Sequence, residues 1–362
     1  MHITCVVGAR PNFMKVAPIL EASKRFPGIT CRLIHTGQHY DERMSDLFFQ
    51  ELGLPDPDVY LGVGSGSHAV QTARVMLAFD EVLDKTPTDV VLVVGDVNST
   101  LACSLVASKR NIRVAHVEAG LRSGDRRMPE EINRILTDQI SDYLFTTERD
   151  AARNLEAEGI PACRIHFIGN VMIDTLLQHR DRALQRPILR DLGQKAGEYA
   201  LCTLHRPSNV DTQEAAENTL TALEILAARF PVVLPLHPRT RSKLEQFGLL
   251  PRLERLTQVQ RIEPQGYLDF LALMAQAHVA FTDSGGVQEE TTALGIPCLT
   301  FRENTERPIT VTEGSNQLLG LDPKNLERAL DEMAAGNAKR GRIPELWDGK
   351  ASERILTVLQ HA

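Results

Sequence analysis

Short, uninterrupted apolar runs rich in valine and isoleucine alternate along this chain with longer stretches of helical periodicity. Ile3–Val7, Thr30–His35, Val90–Val94, Val114–Val117, Tyr143–Thr146 and His166–Ile168 read as strands. Helical patterns follow over Asn12–Arg25, Ser99–Lys109, Glu130–Ile140 and Glu148–Glu158. Strands that are apolar on both faces and joined by helices belong in a parallel sheet covered on both sides. The rhythm pauses over residues 171–198, a charged helical stretch punctuated by Arg186-Pro187 and Gly193. It restarts with strands Tyr199–Leu204, Val232–Leu236, Val279–Thr282 and Pro297–Phe301, and helices over Glu214–Phe230, Tyr267–Ala277 and Val287–Leu294. The pattern predicts two Rossmann-like α/β domains with parallel sheets, residues 1–170 and 171–350, a hinge near 170–195 and an interdomain cleft. A last helical pattern over 352–360 has no local partner and is expected to pack back on the first domain. No short-period repeat or low-complexity segment interrupts the scheme.

Composition narrows the function classes. A chain of 362 residues has room for two domains, each able to bury a core without disulfide or metal staples. The 47 acidic against 40 basic residues, a net charge of −7, argue against a nucleic-acid or membrane-surface binder, which needs a basic face. No apolar stretch approaches the roughly 20 residues of a membrane helix. The N-terminus enters a strand at once, without the basic and apolar regions of a signal peptide, so a cytoplasmic location is expected. Cys5, Cys31, Cys103, Cys163, Cys202 and Cys298 form no Cys-x-x-Cys pair and read as buried thiols of a reducing compartment.

Ligands of open parallel sheets bind beyond the carboxyl ends of the strands. Six strand ends carry charged, histidine or glycine residues: Gly8-Ala9-Arg10-Pro11, Gly95-Asp96, Glu118-Ala119-Gly120, His205-Arg206-Pro207, His237-Pro238-Arg239 and Asp283-Ser284-Gly285-Gly286. Their convergence on one cleft is expected. Ser284-Gly285-Gly286 opens a helix directly after a strand, where bare N–H groups make either an anion nest or only a tight turn. Glu290, about one turn further, could accept ribose hydroxyls or only complement the helix dipole. Arg10 sits at a sheet edge and suits phosphate or sugar; Lys15 alone would read as a solvated helix face. Asp96 and Glu118 end apolar strands. An acid there is expected to be partly desolvated, which raises a carboxyl's pKa and suits it to carrying protons. Glu130 and Arg134 share a helix start with ordinary i,i+4 spacing. There is no Gly-x-Gly-x-x-Gly dinucleotide fingerprint, P-loop, nucleophile elbow or metal-ligand cluster.

Gly8-Ala9-Arg10-Pro11, Gly95-Asp96, His116-Val117-Glu118-Ala119-Gly120-Leu121-Arg122, Pro129-Glu130-Glu131-Ile132-Asn133-Arg134, Asp283-Ser284-Gly285-Gly286-Val287-Gln288-Glu289-Glu290 and Thr305-Glu306-Arg307-Pro308 closely resemble the bacterial, non-hydrolysing UDP-N-acetylglucosamine 2-epimerase family, in the family's order. The resemblance implies a GT-B glycosyltransferase-type fold, a homodimer and no cofactor. It implies interconversion of UDP-N-acetylglucosamine (UDP-GlcNAc) and UDP-N-acetylmannosamine (UDP-ManNAc) for surface polysaccharide synthesis. Carried over, Asp96, Glu118 and Glu130 are the catalytic acids, with His205, Arg10, Lys15 and Arg134 supporting them. Ser284, Gly285, Gly286 and Glu290 form the diphosphate and ribose site. The chain departs from familiar members in a shorter Ser123–Met128 segment, in the Leu204-His205-Arg206-Pro207 motif and around Gln38-His39, where some members bind an activating UDP-GlcNAc. Other readings remain: a hydrolysing epimerase, a 2-epimerase of a UDP-diacetamido uronic acid, a GT-B glycosyltransferase and a non-catalytic nucleotide-sugar sensor.

Overall fold

A computed structural model describes residues 1–37 and 49–362, without the side chain of Arg10. The chain forms two units, Met1–Gln178 with Glu345–Ala362, and His179–Pro344.

The first unit is built on strands β1 (His2–Val7), β2 (Thr30–His35), β3 (Val59–Tyr60), β4 (Val90–Val94), β5 (Arg113–Val117), β6 (Tyr143–Thr146) and β7 (Ile165–Phe167). They form one parallel sheet in the order β3-β2-β1-β4-β5-β6-β7. The order reverses beside β1, the topological switch point at which such sheets bind ligands. Helices α1 (Arg10–Ser23), α2 (His68–Leu83), α3 (Asn98–Lys109), α4 (Pro129–Ile140) and α5 (Arg149–Ala157) connect the strands. All five residues of β4 are buried, as a strand covered on both faces requires. On one face Val6, Ile34, Val91 and Val93 pack with Val75 and Phe79 of α2 and Cys103 and Ala107 of α3. Strand β3 and helix α2 were not among the elements read from the sequence, although Val75, Phe79 and Leu83 of α2 recur every four residues on its buried face.

Helix α6 (Val171–Leu184) begins in the first unit and ends in the second. The second unit carries β8 (Ala200–Thr203), α7 (Gln213–Ala227), β9 (Val232–Pro235), α8 (Pro238–Gln246), β10 (Val259–Ile262), α9 (Tyr267–Ala275), β11 (Val279–Thr282), α10 (Gly285–Leu294), β12 (Cys298–Thr300), β13 (Asn316–Leu318) and α11 (Pro323–Ala334). Its parallel sheet runs β10-β9-β8-β11-β12-β13. The core gathers Leu220, Leu223, Leu234, Val279, Phe281, Phe301, Leu326 and Leu330.

The C-terminal helix α12 (Ala351–Gln360) belongs to the first unit and packs on α1, burying Ile355, Leu356 and Leu359. Asp174 caps it, accepting from Ala351 N–H at 3.1 Å and Ser352 N–H at 2.7 Å. All six cysteines are free, but only four are buried; Cys31 is half-buried and Cys163 exposed, a correction to the expectation of uniformly buried thiols. No helix among the described residues is long and apolar enough to cross a membrane.

Candidate active site

Register places the first group of residues. Val94 pairs with Val117 across β4 and β5, so Gly95-Asp96 and Glu118 leave adjacent strands at the same level. Gly95 has φ of 67°, which glycine adopts without strain, and a β-carbon there would lie 3.0 Å from Lys15 Nζ and 3.3 Å from Glu118 Oε2. Glu118 itself has φ of 75°, an unusual conformation for a residue with a side chain. Its backbone N–H is anchored to the Phe145 carbonyl at 3.0 Å, and its buried carboxylate is ion-paired with Lys15 of α1. Lys15 is therefore an inward-facing residue, not a solvated one.

Asp96, expected to be partly desolvated at the end of a buried strand, has a side chain 29% exposed and paired with the buried Arg134 guanidinium. Arg134 also binds Glu131, from Nε at 3.0 Å and Nη2 at 2.7 Å. Burial alone would raise the Glu131 carboxyl. The N–H of Ser123, the Arg134 guanidinium and the N–H of Gly124 outweigh it and hold the group below its ordinary value. Pro129 starts α4 at the position where its missing N–H costs nothing, and acids follow in the positive first turn. The buried face of α4 is polar: Glu131, Asn133, Arg134, Thr137 and Asp138. A helix that turns charges inward serves a site more than a core. Glu130 is half-buried on this helix, and no described hydrogen bond or ion pair includes it. The Arg10 side chain, Gln38 and His39 lie outside the described residues.

In the second unit Thr203 pairs with Thr282, which sets His205 beside Asp283. Asp283 is fully buried and accepts from the N–H groups of His205 at 2.7 Å and Arg206 at 2.8 Å, and from Asn209 at 2.9 Å. His205 Nδ1 lies 2.9 Å from its other oxygen. Against burial, which would raise it, these contacts keep the Asp283 carboxyl below the ordinary value. Ser284 is the N-cap of α10, yet its hydroxyl makes no capping bond and no acid occupies the first turn. Gly285 is required by close approach: a β-carbon would lie 2.6 Å from Arg307 Nη1 and 2.9 Å from Glu306 Oε1. Glu306 is buried between guanidiniums, accepting from Arg302 at 2.7 Å and Arg307 at 2.6 Å. Burial opposes its charge, but Arg307, Arg302 and Arg206 hold its carboxyl well below the ordinary value. Glu290 is also buried, and burial pushes its carboxyl up to about 8 despite the Tyr267 hydroxyl donating to it at 3.0 Å.

With this geometry in view, similarity to known proteins decides the family. Residues 21–360 match the UDP-N-acetylglucosamine 2-epimerase family. The chain belongs to that family. It is 43% identical over 366 residues to the UDP-N-acetylglucosamine 2-epimerase of Methanocaldococcus jannaschii, covering 100% of this chain and 99% of the relative. It is 45% identical over 369 residues to the UDP-2,3-diacetamido-2,3-dideoxy-D-glucuronate 2-epimerase of Pseudomonas aeruginosa, covering 99% of each. Among solved structures, the M. jannaschii UDP-GlcNAc 2-epimerase in complex with UDP-GlcNAc and UDP aligns with a TM-score of 0.93, at 43% identity over 100% of both chains. The epimerase fold is accordingly two Rossmann-like units of the GT-B type.

Within this family member the structure brings together Lys15, Asp96, Glu118 and Arg134 in the first unit, and His205, Ser284 and Gly285 around Asp283, Glu306 and Arg307 in the second. Glu131, Asp138, His116, Tyr267 and Glu306 were not singled out from sequence as site residues, and Asp283 only as part of its strand end. The spacing 131, 134, 138 on one helix face, and a histidine inside an apolar strand, were available signals for the first three. No sequence signal pointed to Tyr267. Among the described residues no group of three or more His, Cys, Asp or Glu is arranged to hold a metal ion.

Proposed function

We propose that this chain interconverts UDP-GlcNAc and UDP-ManNAc by inverting carbon 2, without net hydrolysis and without a redox cofactor. The observation that carries the reading is the pair of carboxylates at neighbouring strand ends, Asp96 and Glu118, each tied to its own cation, Arg134 and Lys15. Similarity to a relative crystallised with UDP-GlcNAc and UDP supports a UDP-sugar substrate.

The hydrogen on carbon 2 lies beside no carbonyl, so its direct removal costs too much. Breaking the bond between carbon 1 and oxygen first puts positive charge on the ring and makes that proton removable. The carbon 1–oxygen electron pair leaves with UDP. The carbon 2–hydrogen pair becomes the double bond of a 2-acetamidoglucal, and the proton passes to a carboxylate. Re-addition of UDP reverses these steps, with a proton returned on the opposite face. Carboxylates suit the oxocarbenium-like ring, and cations with helix N–H groups suit the departing diphosphate. Asp96 and Glu118 are the proton carriers in this scheme, Glu130 is the third acid, and Arg10, Lys15 and Arg134 support them. The N–H groups of Gly285 and Gly286, at the uncapped start of α10, receive the diphosphate together with the Ser284 hydroxyl, while the Ser284 N–H donates to Thr282 Oγ1 at 2.9 Å. Glu290 accepts the ribose hydroxyls, and His205, fixed by Asp283, assists on the sugar side. The proposed working form is a cytoplasmic homodimer, a stoichiometry that light scattering tests.

Proton NMR of the purified protein with UDP-GlcNAc in heavy water, without added cofactor, tests the reaction. The expected result is UDP-ManNAc, with deuterium entering carbon 2. Free N-acetylmannosamine with UDP would indicate the hydrolysing reaction instead. Faster turnover of UDP-2,3-diacetamido-glucuronate in the same assay would reassign the substrate. Absence of deuterium at carbon 2 would overturn the proton-exchange mechanism.

A further inference from the structure

His116 is fully buried in β5, between Ala115 and Val117 in an otherwise apolar stretch. A buried imidazole is costly unless its nitrogens are hydrogen-bonded. Both are. Nε2 lies 2.8 Å from the Gly95 carbonyl oxygen, on the residue that immediately precedes Asp96. Nδ1 lies 2.6 Å from Asp138 Oδ1 on α4. The other Asp138 oxygen accepts from the N–H of Gly120, two residues beyond Glu118, at 3.1 Å, and from Arg122 Nη2 at 2.7 Å. A single chain of hydrogen bonds, from Gly95 through His116 and Asp138 to Gly120, thus ties the turn carrying Asp96 to the turn leaving Glu118. Gly95 is held from its other side too, its N–H donating to the Val117 carbonyl at 3.1 Å.

We propose that His116 and Asp138 are positioning residues that fix the spacing of Asp96 and Glu118 for the two proton transfers. The proposal rests on the epimerase reading above. The Gly95 carbonyl can only accept, so Nε2–H donates to it, and Nδ1 and Asp138 Oδ1 share the second hydrogen bond. Arg122 and the Gly120 N–H fix the Asp138 side chain from its other oxygen. Helix α4 carries Arg134 and Asp138 one turn apart, so the cation on Asp96 and the anchor of His116 move as one body. Neither residue of the clamp needs to touch the sugar. Its work is to keep one acid from drifting relative to the other.

Turnover in heavy water gives a readout that a loss of folded enzyme does not change: the ratio of deuterium in recovered substrate to deuterium in the epimer. Each turnover sets that ratio by how well one acid removes the proton and the other returns it. His116→Gln is expected to lower kcat by ~10²-fold, the effect of misplacing groups by about an ångström. UDP affinity should stay unchanged and the ratio should move away from the wild-type value. Asp138→Asn, which keeps the volume, should move the ratio in the same direction, and carries the test if His116→Gln fails to fold. The double variant should fall no further than the worse single one, because the pair acts as a unit. A wild-type ratio in the folded variants, or additive losses, would overturn the proposal. The ¹⁵N spectrum of His116 in the resting protein is a test without turnover. Hydrogen on Nε2 is expected, and a bare Nε2 defeats the clamp. A wild-type chain that places no deuterium on carbon 2 would defeat the epimerase reading instead, leaving the nitrogen spectrum to judge the clamp.

Discussion

Replacing Glu290 by glutamine should separate stability from nucleotide binding. The Glu290 carboxyl is buried beside Tyr267 and Glu289, and burial raises it from the ordinary 4.5 to about 8. The folded chain therefore holds a proton that the unfolded chain releases above pH 4.5. Because the folded value is the higher one, stability falls as pH rises from the ordinary value and levels off above the folded one. At about 1.36 kcal/mol per pH unit, this gap of roughly 3.5 units costs about 5 kcal/mol at the alkaline plateau and about 3 kcal/mol at pH 7. Glutamine keeps the shape, still accepts the Tyr267 hydroxyl and does not ionise. In urea unfolding, the advantage of Glu290→Gln over wild type should grow by about 2.5 kcal/mol between pH 6 and pH 9. UDP binding to the same variant, measured by calorimetry at pH 9, where the wild-type carboxyl is ionised, should weaken by about 10- to 100-fold, the size of a lost charge-assisted hydrogen bond. Stability curves that run parallel in pH would refute the buried, proton-holding carboxyl. Unchanged UDP affinity would refute its place on the ribose.

Three further outcomes can be checked on the same protein. Asp96→Asn and Glu118→Gln should each lower UDP-ManNAc formation by at least ~10²-fold, the low end for lost acid–base catalysis; near-normal NMR progress curves in both would end the assignment. Gly285→Ala puts a β-carbon 2.6 Å from Arg307 Nη1, so the Arg307–Glu306 pair must shift; stability should drop by about 1–3 kcal/mol and the UDP dissociation constant should rise. Glu306→Gln leaves Arg302 and Arg307 buried without their shared anion, and urea unfolding should show a loss of about 3–5 kcal/mol. Since the folded Glu306 carboxyl lies below its ordinary value, that contribution is present at neutral pH and disappears as the solution is acidified through the folded value.

The alternation of apolar runs and helical stretches was enough to assign the α/β class, because short valine- and isoleucine-rich runs closed by glycine or charged residues suit strands buried on both faces and are too short for buried helices. Strand ends are equally legible, and so Asp96, Glu118, His205 and Ser284 stood out: polar residues at the close of apolar runs have few structural reasons to be there. Sequence position could not say which partner each would find. Lys15 taken alone would read as a surface lysine; the resemblance set it among the supporting groups, and only the fold of α1 over the sheet edge gave it Glu118 as its partner. Glu130 and Glu131 are neighbours in sequence, and only the rotation of α4 decided that Glu131 turns inward to Arg134. The same rotation brings Asp138 to His116 across 22 residues, and the second sheet brings Tyr267 to Glu290 across 23. The short edge strand β3 likewise took its place only through packing. Composition and periodicity are properties of a local stretch, and a single chain suffices to read them. Ion pairs and their protonation depend on distances and burial that arise only when separate stretches pack together, so the tertiary structure alone decides them.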